Sequence, residues 1–373
     1  MNHLPWDIGR STDRNMRLLF KNLQDKYEDL EFYYPRNILS AILPVVGHFF
    51  KAVKGRILKR LRIRKKLGFS IKREKLISEK EFTKQHFDVI YTQGVIPHYG
   101  KSNIPFLCDL SFIDPENTDA VVTNESILRW KELIEDMGKV AKEKCIINLR
   151  SNYSLRLVHE YYPEYEYKFV NIPFLLPDLK AVSCDYALQK HTNISNFKIA
   201  FVGAQAKRKG IDLLVKSIEI LYKRGVRNFE LHIVSGFTDG KINISDELPI
   251  ICHGTRDYSY TMNILKNAHL YVMPSYFESF GLSYVEAMAN GCIVLARNFE
   301  PQREIVNYGK AGFVINLNPE DIADKIQHVL EMEEAQRKEF VLNGLEYFKG
   351  KYDYSVVSEQ WHEEFKRCVS LYR

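Results

Sequence analysis

Absences narrow the class of this 373-residue chain before any motif is read. There is no Cys-x-x-Cys pair. Cys108, Cys145, Cys184, Cys252, Cys292 and Cys368 are scattered, which argues for reduced thiols packed as small hydrophobes and against disulfides or a zinc site. No Asp-x-Asp pair offers a divalent-ion site. No Gly-x-Gly-x-x-Gly follows a strand pattern, so a dinucleotide oxidoreductase is poorly supported. The first ten residues have no apolar core behind a basic start, unlike a secretory signal. The longest apolar stretch, Ile38 to Phe50, is broken by Pro44 and Gly47 and falls well short of the roughly 20 residues a bilayer span needs. A cytoplasmic protein is expected.

What is present suits two α/β domains, since the chain is long for one core and its hydrophobic fraction of 45% is ordinary for a globular protein. The net charge of +6 hides a concentration. Between residues 51 and 75 stand Lys51, Lys54, Arg56, Lys59, Arg60, Arg62, Arg64, Lys65, Lys66, Lys72, Arg73 and Lys75 against the single acid Glu74. Ile57, Leu58, Leu61 and Ile63 are threaded among them. One reading is an amphipathic helix on an anionic membrane face, where each cation contributes about 1 kcal/mol. A solvated basic helix is the plainer alternative. A nucleic-acid patch is the third, and no nucleic-acid partner is expected, because no reading motif accompanies the charge.

Along the chain, strand patterns alternate with helical ones. Asp88–Gly94, Ile104–Asp109 and Cys145–Leu149 read as short buried strands, and Leu30–Tyr34 as one ended by Pro35. The polar stretch from about Leu176 to Asn196 reads as a linker. A second series follows: Lys198–Gly203, a helix from Ile211 to Arg224, Phe229–Val234, Ile250–Gly254, a helix to Ala268, and His269–Met273. Such alternation implies parallel sheets with ligands at the carboxyl ends of the strands. On that basis His98 is a candidate site residue, or an ordinary surface histidine. The tail from Pro319 reads as helical.

The run Tyr271–Ala296 reads as a buried strand, a polar loop with Glu278, a short helix with Glu286, a glycine stop at Gly291 and another strand. Glu278 could simply complement the helix dipole. Yet Phe280 and Gly281 thin the loop, so the amides of Gly281, Leu282 and Ser283 can face an anion. Glu286, about 4–5 Å further along the axis than Ser283, is either solvent-facing or holding hydroxyl groups.

Glu278-x7-Glu286, with Phe-Gly-Leu inside it and Glu-Ala-Met-Ala-Asn-Gly from Glu286 onward, resembles the nucleotide-sugar signature of retaining GT-B glycosyltransferases of the family 4 type. The resemblance implies two Rossmann-like domains facing across a cleft: an acceptor-side domain at 1–178, a donor domain at 179–355, and a last helix at 356–373 crossing back through Trp361 and Phe365. No buried strand precedes Gly9 and Arg10, so the first domain is expected to lack its first strand. Gly9-Arg10-Ser11 resembles the family's acceptor loop, and His98 is a second acceptor candidate. The loop Gly203-Ala-Gln-Ala-Lys-Arg-Lys209-Gly210 resembles the family's strand–loop–helix for the donor diphosphate, where Lys209 is the matching lysine. The family's arginine position is Ala204 here, and Arg208 is the candidate substitute. His253-Gly254 resembles the turn beside the nucleobase, or is a structural turn with a satisfied histidine.

The resemblance further implies that Glu278 contacts the transferred sugar, that the amides of Phe280, Gly281 and Leu282 hold sugar and phosphates, and that Glu286 holds the ribose. Glu278, Lys209 and Arg208 are then the catalytic set, in a metal-independent site with no cofactor. The donor is a nucleoside-diphosphate sugar and the acceptor a glycan or lipid-linked glycan of surface-polysaccharide synthesis, reached at the inner face of the cell membrane. A non-catalytic partner subunit of the same fold is the alternative.

Overall fold

A computed structural model describes residues 22–30, 34–35, 76–77, 88–93, 105–110, 124–237, 240 and 242–372. Gly9, Arg10, His98 and the basic stretch 51–75 lie outside them, as does the place where a first strand was sought. The described strands in chain order are β1 (Tyr34–Pro35), β2 (Leu76–Ile77), β3 (Ile90–Gln93), β4 (Phe106–Leu110), β5 (Cys145–Leu149), β6 (Phe169–Val170), β7 (Phe197–Val202), β8 (Phe229–Val234), β9 (Ile250–Cys252), β10 (Leu270–Met273), β11 (Ile293–Arg297) and β12 (Phe313–Ile315). β1 and β2 pair in parallel, and a four-stranded sheet runs β3-β4-β5-β6.

Contact density separates two units: Met1–Asp109 with Asp136–Ile147 and His362–Arg373, and Leu110–Glu135 with Asn148–Trp361. In the first, Leu107, Cys108, Met137, Val140 and Ile146 are buried. Tyr27 stacks on His362 at 3.9 Å, Phe365 meets the Tyr91 ring at 6.1 Å, and the Tyr372 hydroxyl donates to the Cys145 carbonyl at 2.8 Å.

The second unit holds a six-stranded, all-parallel sheet in the order β12-β11-β10-β7-β8-β9. Counted from β7, this is the doubly wound order in which the chain leaves the first strand to one side and returns on the other. β7 and β10 are therefore the pair at the switch point, with Leu270 opposite Ile199. Their residues Ile199, Ala200, Phe201, Leu270, Tyr271 and Val272 are buried, each large aliphatic one contributing about 1.5–3 kcal/mol. Helices cover the sheet at Ile211–Lys223, Tyr258–Asn267, Leu282–Ala289, Pro319–Glu331 and Glu334–Lys351.

The stretch read as a linker is corrected in part. Ser183 caps a helix at Cys184–Lys190, accepting from the Tyr186 amide, and Lys190 donates to the carbonyls of Ala268 and Asn290 at 2.7 and 2.8 Å. Only Ala187 of this helix is buried, too short an apolar signal to mark it in a polar stretch. Of the six cysteines, Cys252 is exposed, Cys184 half-buried and the other four buried, and none forms a disulfide. Among the described residues no helix is long and apolar enough to cross a membrane.

Candidate functional site

The loops after β7 and β10 meet at the carboxyl ends of the two switch-point strands. The Tyr276 amide donates to the Arg208 carbonyl at 3.0 Å, which ties one loop to the other. Lys209 crosses to Glu278, with Nζ 2.8 Å from Oε1, and Arg208 Nη1 lies 3.4 Å from the same oxygen while also donating to the Phe277 carbonyl. Glu278 is only 9% exposed. A buried carboxylate needs such partners, because removing one leaves an uncompensated charge at a cost of about 3–5 kcal/mol. Lys209 and Arg208 thus converge on one carboxylate oxygen.

Glycine is required where the loops close. A Cβ on Gly203 would come within 2.2 Å of the Lys209 side chain, so the bare backbone is what lets the lysine stem cross toward Glu278. Gly210 has φ +78°, in the left-handed region, and a Cβ there would meet the Pro274 carbonyl oxygen at 1.9 Å. The charge cluster therefore depends on backbone approach as well as on side-chain type.

Gly281, with φ +86°, starts the helix Leu282–Ala289 without a side-chain cap. Among the described residues no acceptor faces the amides of Gly281, Leu282 and Ser283, as at any helix start left uncapped. The Phe280 ring packs against Phe174 and Tyr352, with centroids 5.3 and 5.9 Å away, so only its main chain is available to a ligand. One turn on, Glu286 is partly exposed but flanked by apolar neighbours. Burial pushes its carboxyl up to about 7, against the opposing pull of Lys209. Among the described residues its carboxylate has no hydrogen-bond or ion-pair partner. A carboxyl held this way, within the field of Lys209, is a candidate for binding hydroxyls.

The third part lies at the sheet edge, where β9 ends in His253-Gly254. The His253 ring is fully engaged: Nδ1 is 2.9 Å from the Tyr260 hydroxyl and Nε2 2.9 Å from His232 Nδ1. Any ligand contact at this turn thus falls to its main chain.

Sequence reasoning missed several supporting residues. Glu230 and His232, which extend the His253 network, were detectable as polar residues two apart on a strand and hence on one face. Buried Glu304 follows β11 and accepts from the Asn152 amide at 2.9 Å, from Asn152 Nδ2 at 3.0 Å and from Lys351 at 2.7 Å, fixing the segment that backs Phe280. Its partners are 152 and 47 positions away, so no local pattern announces it. Arg297, buried at the end of β11, donates to the Tyr276 carbonyl at 2.7 Å and steadies the Glu278 loop. Among the described residues no group of three or more His, Cys, Asp or Glu is placed to hold a metal ion.

The chain is 28% identical over 170 residues to the capsular polysaccharide biosynthesis glycosyltransferase CapM of Staphylococcus aureus, covering 44% of each chain. It is 32% identical over 113 residues to a phosphatidyl-myo-inositol mannosyltransferase of Mycobacterium tuberculosis, covering 29% of each. The match thus spans less than half the length of these curated relatives. Among solved structures, a glycosyltransferase from Rickettsia africae superposes with a TM-score of 0.59 at 16% identity, over 90% of this chain and 97% of that one. A sucrose-phosphate synthase from Thermosynechococcus elongatus does so with 0.59 at 17%, over 78% and 76%. Residues 188–345 match the family described as glycosyl transferases group 1, and the chain has the α/β GT-B glycosyltransferase fold.

Proposed function

We propose that this protein transfers a sugar from a nucleoside-diphosphate donor to a glycan or lipid-linked acceptor, with retention at the anomeric carbon, in the manner of family 4. The observation that carries the reading is the convergence of Lys209 and Arg208 on Glu278 beside an uncapped helix start at the switch point. Departure of a nucleoside diphosphate builds charge on its phosphates, and fixed cations at that point stabilise the transition state more than the ground state. Lys209 and Arg208 supply this charge without a metal. Glu278 turns to the sugar hydroxyls and the oxocarbenium-like centre. The amides after Phe280 hold sugar and phosphate, Glu286 accepts from the two ribose hydroxyls, and the His253-Gly254 turn meets the base. The departing phosphate takes the acceptor's proton, so no separate protein base is called on.

The likeness to proteins named for capsular polysaccharide and phosphatidylinositol mannoside synthesis supports an acceptor of the surface-glycan class. The basic stretch 51–75 is proposed to bring the enzyme to an anionic membrane face. Assay of a UDP-, GDP- and ADP-sugar panel, with Glu278→Ala as control, tests the reading. Release of one nucleoside diphosphate by the wild type alone supports it. Absence of both turnover and nucleotide binding in the wild type contradicts it, and cosedimentation with anionic but not neutral vesicles tests the membrane contact.

A further inference from the structure

Behind the His253-Gly254 turn runs a row of polar contacts that the proposed chemistry does not use. Glu230 and His232 sit two residues apart on β8, and His232 Nε2 lies 2.9 Å from Glu230 Oε1. His232 Nδ1 is 2.9 Å from His253 Nε2, and His253 Nδ1 is 2.9 Å from the hydroxyl of Tyr260, in the first turn of the helix Tyr258–Asn267. The two imidazole planes lie within 8° of each other. The row therefore joins β8, the end of β9 and the following helix.

With both rings neutral, one arrangement of hydrogens satisfies every contact. The Glu230 carboxylate can only accept, so His232 Nε2 carries hydrogen and His232 Nδ1 accepts. His253 Nε2 must then donate, and His253 Nδ1 accepts from the Tyr260 hydroxyl. A proton added to either ring changes this. The protonated pair carries hydrogen on both outer nitrogens, so Tyr260 must turn from donor to acceptor.

The Glu230 carboxylate favours that step, and the cations nearest the row oppose it. Lys198 Nζ is 3.7 Å from Glu230, and the Arg256 guanidinium sits 5.0 Å from the Tyr260 ring centre. Burial, His232 and Arg256 push the His253 ring down from its ordinary value, which favours its neutral form.

We propose that Glu230, His232 and Tyr260 are positioning residues for the nucleobase side of the donor site, holding the His253-Gly254 turn in one orientation. This rests on the assignment of that turn to the base. The diphosphate partners Lys209 and Arg208 lie on other loops, so the row affects nucleoside recognition and leaves phosphate recognition alone.

The test is calorimetric titration of wild type, Tyr260→Phe, Glu230→Ala and Glu230→Gln with UDP, GDP, ADP and pyrophosphate at pH 8. At pH 8, Tyr260→Phe and Glu230→Ala are expected to weaken the preferred nucleotide about 3- to 10-fold, the loss of one hydrogen bond. Glu230→Gln, which keeps an acceptor, restores most of this. Pyrophosphate binding stays within about 2-fold throughout. Titration of Glu286 is common to every variant and cancels in these ratios. If the wild type binds a nucleotide and folded Tyr260→Phe and Glu230→Ala match it, or lose pyrophosphate equally, the inference is overturned. If the wild type binds none of the three nucleotides, the functional assignment itself fails, and this inference with it.

Discussion

Where β7 and β10 end, three charged side chains meet, with Glu278 2.8 Å from Lys209 and 3.4 Å from Arg208. At the edge, where β9 ends, Tyr260, His253 and His232 hand neutral hydrogen bonds on to Glu230, with 2.9 Å at each step. Both regions are loops at the carboxyl ends of strands in one sheet, yet one uses charge and the other tautomer-defined polarity. A diphosphate calls for net positive charge, whereas a neutral base is discriminated by dipoles held in fixed directions. On the proposed reading, the two loop regions divide one elongated donor by its own chemistry.

The comparison breaks most visibly at Lys209. Lys209→Ala is expected to lower turnover about 100- to 1000-fold, as removal of a transition-state charge partner does, against only a few-fold for Tyr260→Phe. Comparable losses in the two variants, measured as kcat with saturating donor, would erase the proposed division. The glycines sharpen it in stability. Gly210→Ala places a Cβ 1.9 Å from a carbonyl oxygen and is expected to cost about 3 kcal/mol or more. Gly254→Ala has a similar φ of +71° with open space around it and should cost about 1 kcal/mol. Denaturant midpoints of the two variants check the difference.

Glu286 adds a pH dependence. Its carboxyl, raised to about 7 in the folded protein, binds a proton more tightly there than in the unfolded chain. Its contribution therefore makes the wild type less stable as pH rises from the unfolded value through about 7. Glu286→Gln removes that loss, so its stability gain over wild type should grow from pH 4.5 to pH 8 in thermal melts. Nucleotide affinity should move the opposite way in the wild type, rising through about pH 7 as the carboxylate forms, and Glu286→Gln should flatten it.

Much of the central region was legible in the sequence because its signals are local. The strand Leu270–Met273, the glycine at 281 and the helix Leu282–Ala289 sit in one continuous run, so Glu278 and Glu286 could be placed on loop and helix without tertiary information. Lys209 was legible for the same reason, as part of a strand–loop–helix. At the edge only the His253-Gly254 turn was legible, by its resemblance; Glu230 and His232 on β8 and Tyr260 on the helix Tyr258–Asn267 meet His253 only through tertiary packing. Glu304 and the helix Cys184–Lys190 were missed likewise, since both depend on partners far away in sequence. Gly9, Arg10 and His98, the acceptor candidates, lie outside the described residues.

The most direct test of the donor assignment is quantification of nucleoside diphosphate released from UDP-, GDP- and ADP-sugars by wild type and Lys209→Ala, alongside calorimetric binding of the free nucleotides. The account predicts that the wild type binds one base class and releases its diphosphate, while Lys209→Ala releases it at least about 100-fold more slowly. Equal release by both proteins, or a wild type that binds no nucleotide, would contradict it.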